Sequence, residues 1–316
     1  MKDFAGRSAV ITGGGTGMGR QLALQLAAEG CSVALCDVCA ETMAETKRLA
    51  LSNAPQGTRV STFIADVSIE EQVLAFAASV ARELDTDCIH LLFNNAGIGG
   101  GGSIVDGDRT QWEKTFGVCW HGVYYCTLAF LPLLMKAGEA HIVNMSSVNG
   151  FWASIGPNRP HSAYCAAKFA VKGFSEALLT DLALNAPHIK CSVVMPGHIG
   201  TEIVRNSRMI LSGGETKSDV AAIRKAIAAF GVDASSLSDD QVVALAEEQA
   251  RRFRDDAPTT AAQAATIILD GVRAEKWRIL VGKDAEFLDA KVRAMPEDAY
   301  SPAFYEALVR ETKWAI

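Results

Sequence analysis

A glycine-rich run at residues 12–19, T-G-G-G-T-G-M-G, most strongly constrains the fold of this 316-residue chain. It follows an apolar stretch, 8–11, that predicts a strand, and it opens a predicted helix over 20–28. Glycine lets a backbone approach a pyrophosphate closely, and the N–H groups at a helix start favour an anion. The run therefore predicts the first βα turn of a dinucleotide-binding fold, although a tight turn without a ligand would use the same residues.

The next apolar stretch, 32–36, ends at Asp37. A carboxylate at this position can accept hydrogen bonds from both hydroxyls of an adenosine ribose, whereas it would repel a 2′-phosphate. Neither the glycine run nor the residues directly after Asp37 contain a Lys or Arg that could offset that repulsion. These residues favour NAD over NADP as the cofactor.

Stretches rich in Val and Ile alternate with helical patterns along most of the chain, which is typical of a parallel sheet. We predict an α/β fold: a Rossmann-like, doubly wound parallel sheet of about seven strands with helices on both faces. The predicted strands lie near 8–11, 32–36, 60–64, 89–93, 141–145, 189–194 and 277–281. The expected organisation is one domain over 1–282, followed by a C-terminal extension over 283–316.

Residues 202–258 interrupt the alternation and contain two predicted helices, 217–230 and 239–254. Ser238 and Gln241 have the spacing of a capping box at the start of the second helix. An insertion beyond the end of a strand is a place for a substrate lid, and a structural flap or a subunit contact is the alternative. The aromatic residues of 283–316 require burial against their own domain, the active site or a partner subunit.

Composition excludes several classes of function. A net charge of −6 argues against a nucleic-acid surface, and the cluster Arg251, Arg252 and Arg254 is expected to complement a helix dipole. Eight cysteines, mostly in apolar stretches, fit a cytoplasmic protein, and the pair Cys36 and Cys39 lacks partners at zinc-like spacing, so no metal site is predicted. Residues 115–135 carry no charge, yet a buried core helix has the same composition as a membrane span, and we expect no membrane contact.

Tyr164 and Lys168 are four residues apart in a helical pattern, so their side chains share a helix face. Lowering the pKa of a phenol from about 10 by about three units requires roughly 4 kcal/mol of preferential stabilisation of the phenolate. A nearby ammonium group and a nicotinamide cation have the right charge for this. Ser146 and Ser147 follow the predicted strand 141–145, and one of them could hold the substrate oxygen.

Several motifs, in order, resemble those of the short-chain dehydrogenase/reductase (SDR) family of the compact, single-domain type, over about residues 5–282. The family pattern T-G-x-x-x-G-x-G matches 12–19, its adenine-pocket Asp matches Asp66 in A-D-V, and its N-N-A-G matches 94–97. Its catalytic Ser matches Ser147, and its Y-x-x-x-K matches Tyr164 and Lys168. Its P-G-x-[VI]-x-T matches 196–201.

The resemblance implies that Tyr164 is the general acid/base, that Lys168 lowers the pKa of Tyr164 and holds the nicotinamide ribose, and that Ser147 orients the substrate oxygen. It further implies the following cofactor contacts: Gly13, Thr16, Gly17, Met18, Gly19, Asp37, Val38, Asp66, Val67, Asn94, Ala96, Gly97, Tyr164, Lys168, Pro196, Gly197, Ile199 and Thr201. The expected substrate contacts are Ser147, Asn149, Phe151, Trp152, Tyr164 and His198. The expected substrate is a fairly apolar secondary alcohol or ketone, and the expected assembly is a homodimer or homotetramer.

Two departures from the family pattern affect these expectations. Cys119 stands where the family has an Asn that helps to hold a water of the proton relay. Either the backbone alone holds that water and Cys119 fills space, or His121 restores a proton path, or activity is reduced. Sixteen residues separate Ser147 from Tyr164, and Phe151 and Trp152, near the start of that segment, either line an apolar pocket or serve as packing aromatics. The alternative to an enzyme is a dinucleotide-binding relative that acts as an NAD sensor or assembly subunit.

Overall fold

Seven parallel strands form the central sheet of the computed structural model, which describes residues 1–157, 159–213, 220–229, 236–312 and 314. The strands of this sheet are β1 Ser8–Thr12, β2 Ser32–Asp37, β3 Val60–Ile64, β4 Leu91–Asn94, β5 Ala140–Met145, β6 Ile189–Pro196 and, last in the chain, β9 Arg278–Val281. A separate parallel pair consists of two short strands of two residues each, β7 Ile199–Gly200 and β8 Thr259–Thr260. Each of the seven predicted strands is confirmed to within two residues at either end.

Helices connect the strands. They are α1 Gly17–Ala28, α2 Ala40–Ser52, α3 Glu70–Leu84, α4 Arg109–Phe116, α5 Gly122–Leu134, α6 Ser162–Asn185, α7 Ile203–Leu211, α8 Val220–Ala229, α9 Asp239–Asp255, α10 Ala261–Arg273, α11 Lys283–Ala294 and α12 Pro302–Thr312. A π-helical turn, Gly117–His121, joins α4 to α5, and a 3₁₀ turn, Val148–Gly150, follows β5.

The order of the strands places the main cleft. Across the sheet the order is β3-β2-β1-β4-β5-β6-β9, so the chain runs outward from β1 and then returns to its other side at β4. In a sheet of this kind, the crevice at the carboxyl ends of β1 and β4 is the place for a ligand. The structure thus confirms the Rossmann-like, doubly wound α/β fold.

Both faces of the sheet are covered because successive side chains of a strand point in opposite directions. In β1, Ile11 lies in a core cluster with residues of α1 and α10, such as Leu22 and Ile268. Its neighbour Val10 lies in the other cluster, with Phe76 of α3 and Phe130 of α5. All six of these side chains are at most 2% exposed, so the sheet is the middle layer of three.

The continuous helix Arg109–Leu134, which combines α4, the π turn and α5, is long and apolar enough to cross a membrane. Half of its most apolar window is buried inside the molecule. Cys126 and Phe130 of this helix are fully buried beside α3. A helix covering a sheet in this way passes the same test as a membrane span by composition alone.

The insertion after β7 begins with a helix that the sequence pattern did not predict, α7. The predicted helix 239–254 is confirmed as α9, with both hydrogen bonds of the capping box between Ser238 and Gln241 present. For the predicted helix 217–230, α8 occupies 220–229, and positions 217–219 and 230 lie outside the described residues. Pairing of β7 with β8 joins the two ends of the insertion.

The C-terminal extension packs on the segment that follows β5. Trp152 is 1% exposed, donates a hydrogen bond from Nε1 to Ala299 O at 2.7 Å, and contacts the rings of Phe304 and Trp314. The backbone N–H of Ala153 donates to the Tyr300 hydroxyl at 3.1 Å. Phe287, Phe304, Tyr305 and Trp314 of the extension thus pack against their own domain, whereas Tyr300 is largely exposed.

Candidate active site

The glycine turn is a backbone-lined hollow that side chains would fill. A Cβ at Gly13, where φ is +65°, would lie 2.8 Å from the Cα of Ala96, and a Cβ at Gly19 would lie 2.1 Å from the carbonyl oxygen of Gly13. Both positions therefore require glycine. Thr16, the N-cap of α1, makes no capping hydrogen bond with its side chain. Such a turn at a helix N-terminus suits a pyrophosphate group.

Asn95, which the sequence analysis did not select, ties the glycine turn to β4. Its side-chain amide donates to the carbonyl oxygens of Thr12, at 2.9 Å, and Gly13, at 3.2 Å. Thr12 Oγ1 in turn accepts from the backbone N–H groups of Asn95 and Ala96, both at 3.0 Å. Arg20 supports the turn from the other side by donating to the carbonyl oxygen of Gly15.

The structure corrects the prediction that the Asn94 side chain contacts the cofactor. Asn94 is 2% exposed, and its amide donates to Asn144 Oδ1 at 2.8 Å and to Thr127 Oγ1 at 3.0 Å. Successive residues of a strand point to opposite faces, so the Asn94 side chain lies in the core while Asn95 lines the cleft. Motif position alone could not distinguish the two asparagines.

Two carboxylates mark the far end of the cleft. Asp37 accepts hydrogen bonds from the backbone N–H groups of Gly15, at 2.9 Å, and Val38, at 2.8 Å. Asp66 is paired with Lys114 and accepts from Ser68. Burial alone would raise the pKa of Asp66, but the hydrogen bonds from Lys114 and Ser68 outweigh burial and hold this pKa below its usual range. Both residues therefore present acceptor groups to this end of the cleft.

Most of the predicted cofactor residues meet in one cleft with two adjoining parts. The part at the glycine turn is lined by Gly13, Thr16, Gly17, Met18, Asp37, Val38, Asp66, Val67, Ala96, Gly97 and Thr201. The second part is lined by Tyr164, Lys168, Pro196, Gly197 and Ile199. Gly19 lies beneath the turn, where it permits the close approach of Gly13.

Ser147, Tyr164 and Lys168 come together at the carboxyl edge of β5. Tyr164 lies in the first turn of α6, and Lys168 follows one turn later, with its Nζ 5.4 Å from the centroid of the Tyr164 ring. Lys168 Nζ donates to Met145 O at 2.7 Å, and the side chains of Ser147 and Tyr164 are hydrogen-bonded. Both serines line the cavity, but the Ser146 hydroxyl donates to Lys168 O at 2.8 Å, so the proton of Ser146 is already used within the protein.

Burial dominates the titration of this group. Burial raises the pKa of Tyr164 above its usual range, and the hydrogen bond with Ser147 only partly opposes it. Burial also lowers the pKa of Lys168. A phenolate at Tyr164 therefore requires stabilisation by positive charge, and the ammonium of Lys168 is the cation in contact with its ring.

A cavity of about 1160 Å³ extends from Ser147 and Tyr164 beneath the insertion. Its walls are largely apolar. They include Val148 and Ile155 after β5, and these residues of the insertion: Ile203, Val204, Leu211, Ile223, Ile227 and Phe253. Of the six predicted substrate contacts, Ser147, Asn149 and Tyr164 line this cavity.

The structure corrects the other three substrate contacts. Trp152 is buried against the C-terminal extension, and Phe151 packs on the same cluster with Arg278 over its ring. His198 is 1% exposed and contacts Phe253, a residue in the last turn of α9. The two rings pack together, and His198 Nε2 is hydrogen-bonded to Phe253 O. The segment after β5 is thus shaped by residues at the far end of the chain, which local sequence patterns do not report.

His161 and Tyr305 are cavity residues that the sequence analysis missed. The His161 ring lies 4.8 Å from that of Tyr164, and burial lowers its pKa to about 4, so it is neutral at physiological pH. Tyr305 reaches the cavity from α12. Neither residue belongs to a motif, although His161 immediately precedes α6, the helix that carries Tyr164, and its nearness in sequence could have indicated it.

Cys119 is fully buried in the π turn, and its thiol donates to the carbonyl oxygen of Ile98 at 3.2 Å. A Cβ at Gly97 would lie 3.7 Å from its sulfur and 3.5 Å from Lys168 Nζ, so sulfur and ammonium flank the same glycine. The ring of His121 contacts Phe116 and Tyr125 instead. These contacts favour Cys119 as a packing residue and give His121 no path to Lys168.

Comparison with known proteins agrees with this geometry. A family model described as "short chain dehydrogenase" matches residues 7–210. The chain is 36% identical over 295 residues to the "Putative oxidoreductase SadH" of Mycobacterium tuberculosis, which covers 93% of both chains. It is 37% identical over 201 residues to epidermal retinol dehydrogenase 2 of Mus musculus, covering 63% of this chain and 62% of that one.

Solved structures resemble the whole fold. An SDR from Burkholderia phymatum in complex with NAD has a TM-score of 0.73 and 30% identity, covering 94% of this chain and 95% of that one. A metagenomic SDR in complex with NADP has a TM-score of 0.54 and 27% identity, covering 61% and 83%. These matches agree with the strand order, the glycine turn and the grouping of Ser147, Tyr164 and Lys168. Together they show that the chain belongs to the short-chain dehydrogenase/reductase family of oxidoreductases.

Proposed function

We propose that this protein is an NAD-dependent oxidoreductase that transfers a hydride between NAD(H) and a secondary alcohol or ketone. The observation that carries the proposal is the joined cleft: Met18, Gly97 and Thr201 line both the part at the glycine turn and the part that contains Tyr164. A dinucleotide that follows the cleft from Asp37 would bring its nicotinamide end towards Tyr164 and Lys168.

NAD rather than NADP is supported by Asp37. Its two carboxylate oxygens already accept from the Gly15 and Val38 N–H groups and lie on the wall of the cleft, where a 2′-phosphate would meet their charge. The nearby Arg20 is held by hydrogen bonds from its Nε and Nη2 to Gly15, Thr42 and Thr46. The ratio of kcat/KM for NAD over NADP should therefore exceed one and fall in Asp37→Ala.

Each of the three clustered side chains has a distinct part in alcohol oxidation. Bound NAD would supply the carbon that accepts the hydride. Tyr164, as phenolate, takes the hydroxyl proton of the alcohol while the carbon of that alcohol gives up its hydride. Ser147 holds the same oxygen by a hydrogen bond, and Lys168, fixed by Met145 O, stabilises the phenolate that burial disfavours.

A fairly apolar substrate is supported by the walls of the cavity, where aliphatic residues of the insertion face the segment after β5. Retinol dehydrogenase, to which the chain is similar, is named for an apolar alcohol. We therefore propose a substrate with a hydrocarbon body, and the insertion α7–α9 as the lid over it.

The exposed apolar residues Tyr124 and Leu128 of α5 and Phe169 of α6 support a homodimer or homotetramer through these helices. Light scattering of the purified protein should give twice or four times the mass of the chain. A cytoplasmic location remains a prediction.

Substitution of Tyr164 tests the central role. Tyr164→Phe should reduce kcat by about 10²- to 10⁴-fold, the usual contribution of a general acid or base, because only the hydroxyl is lost. The affinity for NADH, measured by fluorescence, should be unchanged. Tyr125→Phe, on the neighbouring helix, is the matched control and should keep normal turnover.

Near-normal turnover in Tyr164→Phe would refute the role of this phenol. If the unaltered protein bound NADH but oxidised no secondary alcohol in a broad panel, the chain would be an NAD-binding relative without catalysis.

A further inference from the structure

Tyr305 brings part of the C-terminal extension into the cavity. It lies beside Gly156, where φ is +134° and where a Cβ would come within 2.9 to 3.0 Å of the Cε2, Cζ and hydroxyl atoms of the Tyr305 ring. Gly156 thus makes room for the ring. Tyr305, Ile155 and Arg159 are all part of the cavity wall.

The position of the ring is set by the anchors of α12. Phe304 and Leu308, on either side of Tyr305 in sequence, are buried in one cluster with Trp152. Ahead of α12, Ala299 O accepts from Trp152 and the Tyr300 hydroxyl accepts from Ala153. These contacts join α12 to the segment that begins only a few residues after Ser147, so Tyr305 cannot swing away without disturbing that segment.

We propose that Tyr305 is a specificity-determining residue, whose ring closes the cavity beside Gly156 and limits the bulk of the substrate there. The inference rests on the proposed function, because it assigns a size limit to the alcohol that Tyr164 deprotonates. A compact secondary alcohol fits within the limit, and the same alcohol with a large substituent on the far side meets the Tyr305 ring.

The test compares cyclohexanol with 4-phenylcyclohexanol in the full-length protein. The Tyr305→Ala substitution removes the ring. The ratio of kcat/KM for the bulky alcohol to that for the compact alcohol should therefore rise about tenfold, which is the scale on which contacts in a pocket discriminate between substrates. Tyr305→Phe keeps the ring and should retain the ratio of the unaltered protein. Val309→Ala, an apolar truncation on the exposed side of α12, is the matched control and should also retain it.

A second readout separates this inference from the proposed function. The affinities for cyclohexanone and 4-phenylcyclohexanone are measured by calorimetry in the presence of NAD, a pair that cannot react. Tyr305→Ala should raise the relative affinity for the bulky ketone by a similar factor. Failure of every variant to turn over alcohols would count against the proposed function, whereas an unchanged or lower preference for the bulky ketone in Tyr305→Ala would overturn the role of Tyr305.

Discussion

Cys119 shows how a single residue can depart from a family pattern without leaving a gap. A thiol is a weak donor, and here its one hydrogen bond goes to the carbonyl oxygen of Ile98, just beyond the strand that leads into the cleft. The residue lies in a π turn, a local widening of the helix that is frequent at functional sites. The sulfur lies across Gly97 from Lys168 Nζ, but its hydrogen bond goes to Ile98 O, and that of Lys168 Nζ goes to Met145 O.

Removal of the sulfur should therefore affect stability more than catalysis. We expect Cys119→Ala to lower the free energy of unfolding by about 1 kcal/mol, through a small cavity and a lost weak hydrogen bond. Its kcat should stay within about threefold of that of the unaltered protein, because no transition-state contact is lost. Denaturant unfolding and steady-state kinetics give the two values.

Cys126→Ala is the matched control, since Cys126 is equally buried on the same helix. A much larger loss of kcat in Cys119→Ala than in Cys126→Ala would show that the sulfur takes part in the proton path.

At the scale of elements, His198 joins the turn after β6 to the end of α9. Its Nε2–H donates to Phe253 O at 2.7 Å, and its backbone N–H donates to Asp284 Oδ2 at 2.6 Å. Gly197 and Ile199, on either side of it, line the cavity, as does Phe253. One residue thus sets the distance between the turn after β6, which is expected to contact the cofactor, and the lid.

Loss of this bond should loosen the lid. His198→Leu should raise KM for the alcohol by about three- to tenfold, the effect of one neutral hydrogen bond, and should change kcat less. His198→Gln, whose amide can donate to the same carbonyl, should recover most of the lost affinity. Steady-state kinetics at saturating NAD separate the two parameters, and equal KM values in the Leu and unaltered proteins would contradict the coupling.

The elements that the sequence predicts well are those with a local signal. The seven strands follow from their apolar runs, and the pair Tyr164 and Lys168 follows from its helical spacing. The end of β5 predicts a serine without distinguishing Ser146 from Ser147, and only the family motif selects Ser147. The pair β7 and β8 was missed because two-residue strands have no periodicity. The short helix α7 was missed because it has only nine residues and its N-cap, Glu202, makes no capping hydrogen bond, although its apolar residues lie on one face.

The residues placed wrongly or missed depend on contacts distant in the chain. Trp152 was predicted to line the cavity, but it is turned inward by Ala299 and Phe304, which lie about 150 positions later. Tyr305 was missed because it reaches the cavity through the packing of α12 against Trp152, a contact that local sequence patterns do not report. Asn94 and Asn95 exchange roles because the pleat of β4, not the motif, decides which side chain faces the cleft.

At the scale of the whole molecule, the two ends of β5 serve different purposes. The carboxyl end leads to Ser147, and the amino end carries His141, which is 1% exposed. The Ser192 hydroxyl donates its proton to Lys276 O, so its oxygen accepts a hydrogen bond from His141 Nε2–H. His141 Nδ1 has no hydrogen-bond partner among the described residues. Burial and the nearby N-terminal ammonium lower the pKa of His141 to about 4.

This buried histidine predicts acid sensitivity. Below pH of about 6.5 the unfolded chain protonates His141, whereas the folded chain does so only near pH 4. The unfolded state binds more protons in this window, so the free energy of unfolding falls as the pH drops through it, by about 3 kcal/mol for this one residue. Above pH of about 6.5 His141 contributes no pH dependence.

Denaturant titrations between pH 4 and pH 7.5 measure this loss. His141→Asn, which keeps a donor for Ser192, should flatten the slope in the window by up to one proton, or about 1.4 kcal/mol per pH unit. An identical slope in the two proteins would show that His141 does not titrate as its burial requires.

Asn206 of α7 donates a hydrogen bond to Thr16 of the glycine turn at 2.9 Å. The lid over the substrate is therefore also bonded to the turn where the pyrophosphate is expected. A nucleotide seated there could leave only after this fastening opens. Release of NADH, rather than hydride transfer, should then limit the rate of each catalytic cycle. Rapid mixing should therefore show a first burst of about one NADH per active site. Asn206→Ala should quicken the departure and shrink the burst, so that a residue remote from the reacting atoms would govern the speed of the enzyme.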